Sequence, residues 1–186
     1  MSKLEVDAIE PQSGTTLTIG ASGDSVTLGS GASLTSPGLT LSDNILFNAA
    51  SKGIYLGVTT ATASNLLDDY EEGTWTPTSF SSGYTASTAS GTYTKIGDTV
   101  FIRALLNFSG VDASSNSKCN FDGLPFTATL ANSGVAREGT TTGAIFMVRL
   151  GAGTVGEINS MDGISTGSTQ VLATGRNYVI NGFYKI

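Results

Sequence analysis

Residues 91–107 read GTYTKIGDTVFIRALLN, two arms of apolar and β-branched residues around Gly97-Asp98. A Gly-Asp pair tolerates the positive φ of a two-residue hairpin turn, so the stretch predicts a β-hairpin. In the second arm Val100, Ile102, Ala104, Leu106 and Phe108 recur at every second position, which places them on one face of a strand. Phe101 and Leu105 fall on the other face, so both faces are expected to be at least partly covered.

Downstream, AIFMVRL (144–150) reads as a second apolar strand, and residues 171–173 and 178–186 supply more. Asn181-Gly182 is expected to be a tight turn or a bulge. Polar loops are expected at 109–118, 129–142, 151–156 and 162–169. Short strands separated by turn signals predict a β-sandwich, jelly-roll-like, over residues 78–186.

Upstream, residues 66–77 read LLDDYEEGTWTP, with Asp68, Asp69, Glu71 and Glu72 followed by Gly73 and the single tryptophan, Trp75. A helical turn ending at Gly73, then extended chain before Pro77, makes this an acidic joint. Before it, residues 14–65 repeat loosely as LTIG (17–20), VTLG (26–29), LTLS (39–42), ILF (45–47) and GIYLG (53–57). Each unit carries one or two apolar side chains between Gly, Ser and Asp turns, too little to offset its ordering entropy alone. Three chains wound about one axis, with Leu17, Ile19, Val26, Leu28, Leu39 and Leu41 inward, would complete a core. A flexible Ser/Gly linker is the plain alternative. Residues 1–13 hold Leu4, Val6 and Ile9 among charges and read as a short docking strand ended by Pro11.

Composition narrows the function. Gly is abundant at 24 of 186 residues and charged residues are only 13%, against roughly a quarter in ordinary domains, which together with the strand patterns predicts an all-β chain. A net charge of −6 with scattered basic residues disfavours nucleic acid. No apolar run reaches membrane-helix length, and the first residues lack the apolar stretch of a signal peptide, so assembly in a cytoplasm without membrane insertion is expected. The absence of histidine excludes His-based catalysis and His-ligated metal. The single cysteine, Cys119, excludes an intrachain disulfide.

The segments LLDDYEEGTWTP, SGTYTKIGDTVFI (90–102) and GLPFT (123–127) resemble the C-terminal region of tail-fibre proteins of marine and cyanobacterial tailed phages. MSKLEVDAIEPQSGTTLTIG (1–20) and SKGIYLG (51–57) are similar to the same group. The resemblance implies a homotrimeric virion fibre with its N-terminus toward the particle and a C-terminal knob toward the host. Its motifs are structural, and no binding residue is carried over from it. Only about 13 residues precede the repeats, fewer than the tail-binding domain of many such fibres, which points to an adaptor protein or a site elsewhere on the particle.

The acidic cluster suits a hard cation if three copies meet at an axis, but a solvated turn is the simpler reading, and no cleft suggests glycoside hydrolysis. Phe80 and Tyr84, in a Ser/Gly-rich loop, are candidates for stacking on a sugar, whereas Trp75 and Tyr93 read as core or intersubunit anchors. Asn116 and Lys118, in the 109–118 loop, are candidate polar ligand contacts. Arg103 and Arg149 are expected to pair with a carboxylate or reach solvent, with an acidic sugar as the functional alternative. Cys119 reads as a small filler and 123–126 as a turn with buried Phe126. The expected whole is a β shaft, an acidic joint and a sandwich knob that adsorbs to a host glycan or outer-membrane component. It is not an enzyme and takes no cofactor or metal. A head fibre or capsid decoration of the same shape, and a depolymerising tailspike, are the alternatives.

Overall fold

The computed structural model describes residues 9–11, 13–22, 24–38, 40–41, 44–112, 118–159 and 172–186. The chain divides into two units, Met1–Ile45 and Leu46–Ile186.

In the first unit local turns hold the chain, such as Asp24 N–H to Ala21 O at 3.0 Å answered by Ala21 N–H to the Asp24 carboxylate at 2.8 Å. No described residue of this unit is in a strand. Leu17, Ile19, Val26, Leu28, Leu34 and Leu41 are all exposed. Among the described residues of this unit there is neither a β ladder nor a buried side chain. Leu39 and the proposed strand around Leu4 and Val6 lie outside the described residues.

The second unit begins with β1 (Ile54–Tyr55) and β2 (Leu66–Leu67), a small antiparallel pair joined by a 3-10 turn at Ala63–Asn65. The remaining described strands are β3 (Tyr70–Trp75), β4 (Tyr84–Ile96), β5 (Thr99–Val111), β6 (Lys118–Phe121), β7 (Asn132–Glu138), β8 (Ile145–Leu150), β9 (Gly156–Asn159) and β10 (Arg176–Lys185). They form one antiparallel sheet in the order β3-β4-β5-β10-β7-β8-β9-β6.

The predicted hairpin is β4–β5. Ile96 faces Thr99 across Gly97-Asp98, and Gly97 has φ +57°. Val100, Ile102, Ala104, Leu106 and Phe108 are all buried. Alternation then sorts every other strand, with Tyr178, Ile180 and Tyr184 of β10, Phe146, Val148 and Leu150 of β8, and Cys119 and Phe121 of β6 on the same inner face. Phe108 meets Phe80, Tyr84 and Tyr178 at ring separations of 5.7, 5.5 and 5.6 Å, and Tyr178 meets Phe146 at 5.4 Å.

The sheet curls until its two ends meet. Beyond β3, Thr78 and Asp122 exchange N–H···O bonds of 3.0 and 2.7 Å, and Ser81 N–H reaches Asn120 O at 3.1 Å. The Trp75 and Phe121 rings stand 6.2 Å apart across this closure. The described strands are thus all-β, one continuous antiparallel sheet curled on itself.

Glycines opposite aromatic residues allow the curl. Gly73 faces Tyr93, Gly91 faces Trp75 and Gly156 faces Phe121 in direct register. In each pair the ring occupies the space a Cβ would take. An alanine at 91 would overlap the Trp75 indole and lie 2.7 Å from the Arg103 carbonyl oxygen. That oxygen is backbone, so the strain cannot be relieved by a side-chain rotation. Gly91→Ala is expected to cost about 1–3 kcal/mol, read as a lowered midpoint in thermal unfolding followed by Trp75 fluorescence. Gly139→Ala, with open space at its Cβ, serves as the neutral control; equal midpoints for the two variants would refute the packing role.

Three local expectations are corrected. Residues 70–75 form β3 rather than a helical turn, because Gly73 accommodates the Tyr93 ring instead of capping a helix. Asn181-Gly182 is neither turn nor bulge. Gly182 pairs in regular register with Ile102 and Gly134, and a Cβ on Gly134 would come within 2.5 Å of Asn181 O. The loop expected at 129–142 contains β7, whose inward positions carry Asn132, Gly134, Ala136 and Glu138, so it gave no apolar alternation.

Candidate ligand-binding surface

The same alternation that buries the inner face exposes a second set of side chains. One row crosses all the strands of the large sheet in register: Thr74, Thr92, Arg103, Asn181, Val135, Met147, Asn159 and Lys118. Polar groups therefore hold both ends of the row and apolar ones its middle.

At the β3–β4–β5 end, Thr74, Thr76, Ser90, Gly91, Thr92, Arg103 and Leu105 line an open cleft of about 460 Å³. Trp75 forms part of the wall, its Nε1–H donating to Thr92 O at 3.3 Å. Arg103 has no ion pair among the described residues. Hydroxyls that both donate and accept, beside a free planar guanidinium, suit a hydroxylated ligand bearing a carboxylate, sulfate or phosphate.

The four candidate ligand residues do not converge on this cleft. Tyr84 is buried and Phe80 half-buried, both with rings against Phe108, so the two act as anchors of the inner face. Lys118 is exposed at the far end of the row, its Nζ 3.8 Å from a Glu157 carboxylate oxygen. Asn116 lies outside the described residues, as do 113–117 of the first expected loop and all of 162–169.

The acidic stretch runs from just before β3 into it, and three of its four carboxylates take separate partners. Asp69 pairs with Lys95, whose buried amine also lies 5.8 Å from the Phe126 ring centroid. Glu71 accepts the Tyr93 hydroxyl and Glu72 the Tyr70 hydroxyl, and each bond raises the tyrosine's pKa. Among the described residues no group of three potential metal ligands comes together. Cys119 is fully buried and burial pushes its thiol up to about 12, which makes it inert. Phe126 is half-buried, edge-on to Tyr93 at 5.3 Å.

One charged group escaped the sequence reading. Glu138, on the inner face of β7, is 1% exposed. Its carboxylate accepts the backbone N–H groups of Thr140 at 2.6 Å, Thr141 at 3.0 Å, Thr142, and Gly143 at 3.2 Å, plus the Thr142 hydroxyl at 2.7 Å. Arg176 Nη1 lies 3.6 Å away. Burial acts to raise its pKa, but these donors outweigh it and hold the group well below the usual carboxylate range. The sequence signal was a carboxylate immediately before Gly-Thr-Thr-Thr-Gly, a turn rich in N–H donors.

The chain matches no protein-family model, no curated protein and no solved structure.

Proposed function

We propose that this chain is one protomer of a trimeric virion fibre that adsorbs to a host surface. In this reading residues 14–65 form the β shaft, 78–186 the sandwich-like knob, and 1–13 the dock to another virion protein. The carrying observation is the contrast between the two units. The described part of Met1–Ile45 exposes apolar residues at regular spacing, while Leu46–Ile186 has its own core. Regular apolar positions without an internal partner call for other copies of the chain. No chemistry is required of such a protein, and several weak sites on one rigid fibre multiply by avidity.

The ligand that best suits the knob is an acidic glycan seated in the Arg103 cleft. Arg103 is exposed, so Arg103→Ala should leave folding unchanged. Losing a charged hydrogen-bonding partner worth about 1.5–3 kcal/mol should weaken binding at least tenfold. The test is adsorption of the purified protein to susceptible cells and to acidic polysaccharide, with sedimentation to give its oligomeric state. Undiminished binding by Arg103→Ala would move the site elsewhere on the knob. A trimer that binds no susceptible host would favour a capsid decoration, and loss of polysaccharide on incubation would favour a depolymerising spike.

A further inference from the structure

The middle of the outward face carries exposed apolar residues. Phe101 and Phe183 stack at 6.1 Å between ring centroids and are 47% and 51% exposed, and Val135, Ile145 and Met147 continue the patch at 48%, 55% and 44%. By register these five lie on the adjacent strands β5, β10, β7 and β8, and exposed apolar patches of about 300–600 Å² often mark interaction sites. A stable interface takes about 800 Å² from each partner, so this patch suits its core and needs a polar rim.

We propose that this face, on β10, β7 and β8, is a contact between copies of this chain, and that it receives the acidic β3 edge of the next copy. The inference rests on the trimer reading above and names the surface that reading leaves open. Charge complementarity selects the occupant. Arg137 and Arg149 stand outward among the apolar residues without an ion pair among the described residues. The chain carries a net charge of −6, and exposed carboxylates concentrate at and just before β3, where Asp68 and Glu72 sit beside exposed Leu67 and Tyr70. A closed ring of identical copies with threefold symmetry joins two different patches, one giving and one receiving. Both patches lie on the same sheet, with β3 four strands from β7, or about 19 Å along the sheet at 4.8 Å per strand. Among the described strands β3 is an end strand, laddered to β4 alone, and such an edge can accept a neighbour.

Cys119 is buried and unreactive, so a single added cysteine reports cleanly on accessibility. In the full chain, Met147→Cys and Ile145→Cys probe the patch, and Thr88→Cys, exposed at the end of β4 away from the acidic edge, is the control. The measurement is the rate of reaction with a bulky thiol reagent, with sedimentation on the same samples. A trimer in which both patch cysteines react at least tenfold more slowly than the control supports the proposal. A trimer in which they react as fast as the control overturns it while leaving the trimer intact. A monomer overturns the trimer reading and this inference with it. Adding Arg137→Glu should speed labelling of Met147→Cys, and adding Glu72→Lys to that variant should restore protection. Failure of the second change to restore it would overturn the β3 edge as the occupant.

Discussion

Replacing Glu138 by alanine is expected to lower the free energy of unfolding by about 2–4 kcal/mol. Four backbone N–H groups and one hydroxyl converge on this carboxylate, and each donor left buried without an acceptor costs about 1–3 kcal/mol. The full sum will not appear, because the 140–143 loop can move toward water. That loop also ties three strands together: Gly139 N–H bonds Asn177 O at 2.9 Å, Asn177 N–H bonds the Thr140 hydroxyl oxygen at 3.0 Å, and Glu138 N–H bonds Ala144 O at 2.8 Å. Loosening it therefore frees the β7–β8 turn and the start of β10 together. Denaturant unfolding followed by Trp75 fluorescence checks the loss, and a change below about 0.5 kcal/mol, the ordinary surface level, would refute it.

The same group gives a pH signature. Its folded pKa is depressed, so its stabilisation is fully present above the unfolded value of about 4.3 and is lost as pH falls below that toward the folded value. The stability difference between the parent and Glu138→Gln should be constant from neutral pH to about 5 and shrink progressively at lower pH. A difference that grows on acidification would show that the carboxylate is not the stabilised species.

The second large effect is expected at Phe108. Its ring is fully buried and meets Phe80, Tyr84 and Tyr178. Phe108→Ala removes the partner of all three and leaves a cavity between the start of β4 and β10, for a cost of about 3–5 kcal/mol. Phe108→Leu should recover more than half of it. Because Phe80 and Tyr84 rest on this ring, near-UV circular dichroism of the tyrosines should weaken in the alanine variant even below its melting point. An unchanged signal would mean that the two residues are held by something other than Phe108.

The hairpin was legible because two signals agreed: a Gly-Asp turn and five inward positions at strict alternation. The exposed repeats of the first unit were legible as segments without a core for a similar reason, since one or two apolar side chains per unit leave nothing to bury. β3 was misread because a helix C-cap and a glycine under an aromatic ring look identical in sequence; only the partner strand, bringing Tyr93 opposite Gly73, distinguishes them. β7 was hidden because its inward positions carry polar, small and charged residues, Asn132, Gly134, Ala136 and Glu138, and a charge in a core position makes sense only once the donors around it are known. The cleft at Arg103 combines residues from three strands whose register no local pattern encodes. The expectation that Phe80 and Tyr84 face solvent came from their Ser/Gly-rich surroundings; the composition of a loop does not reveal which ring lies beneath it.

The position of β10 has a consequence for how the molecule is made. It is the last strand in the sequence, yet it lies between β5 and β7, with the β3–β4–β5 meander on one side and β7–β8–β9–β6 on the other. During synthesis the two halves of the sheet emerge without the strand that joins them, each showing an open hydrogen-bonding edge and an uncovered inner face. Joining them requires closure of the long connections around β10, which makes folding slow relative to a helical protein of the same size. A chain lacking Arg176–Lys185 would lose the strand that joins the two halves of the sheet.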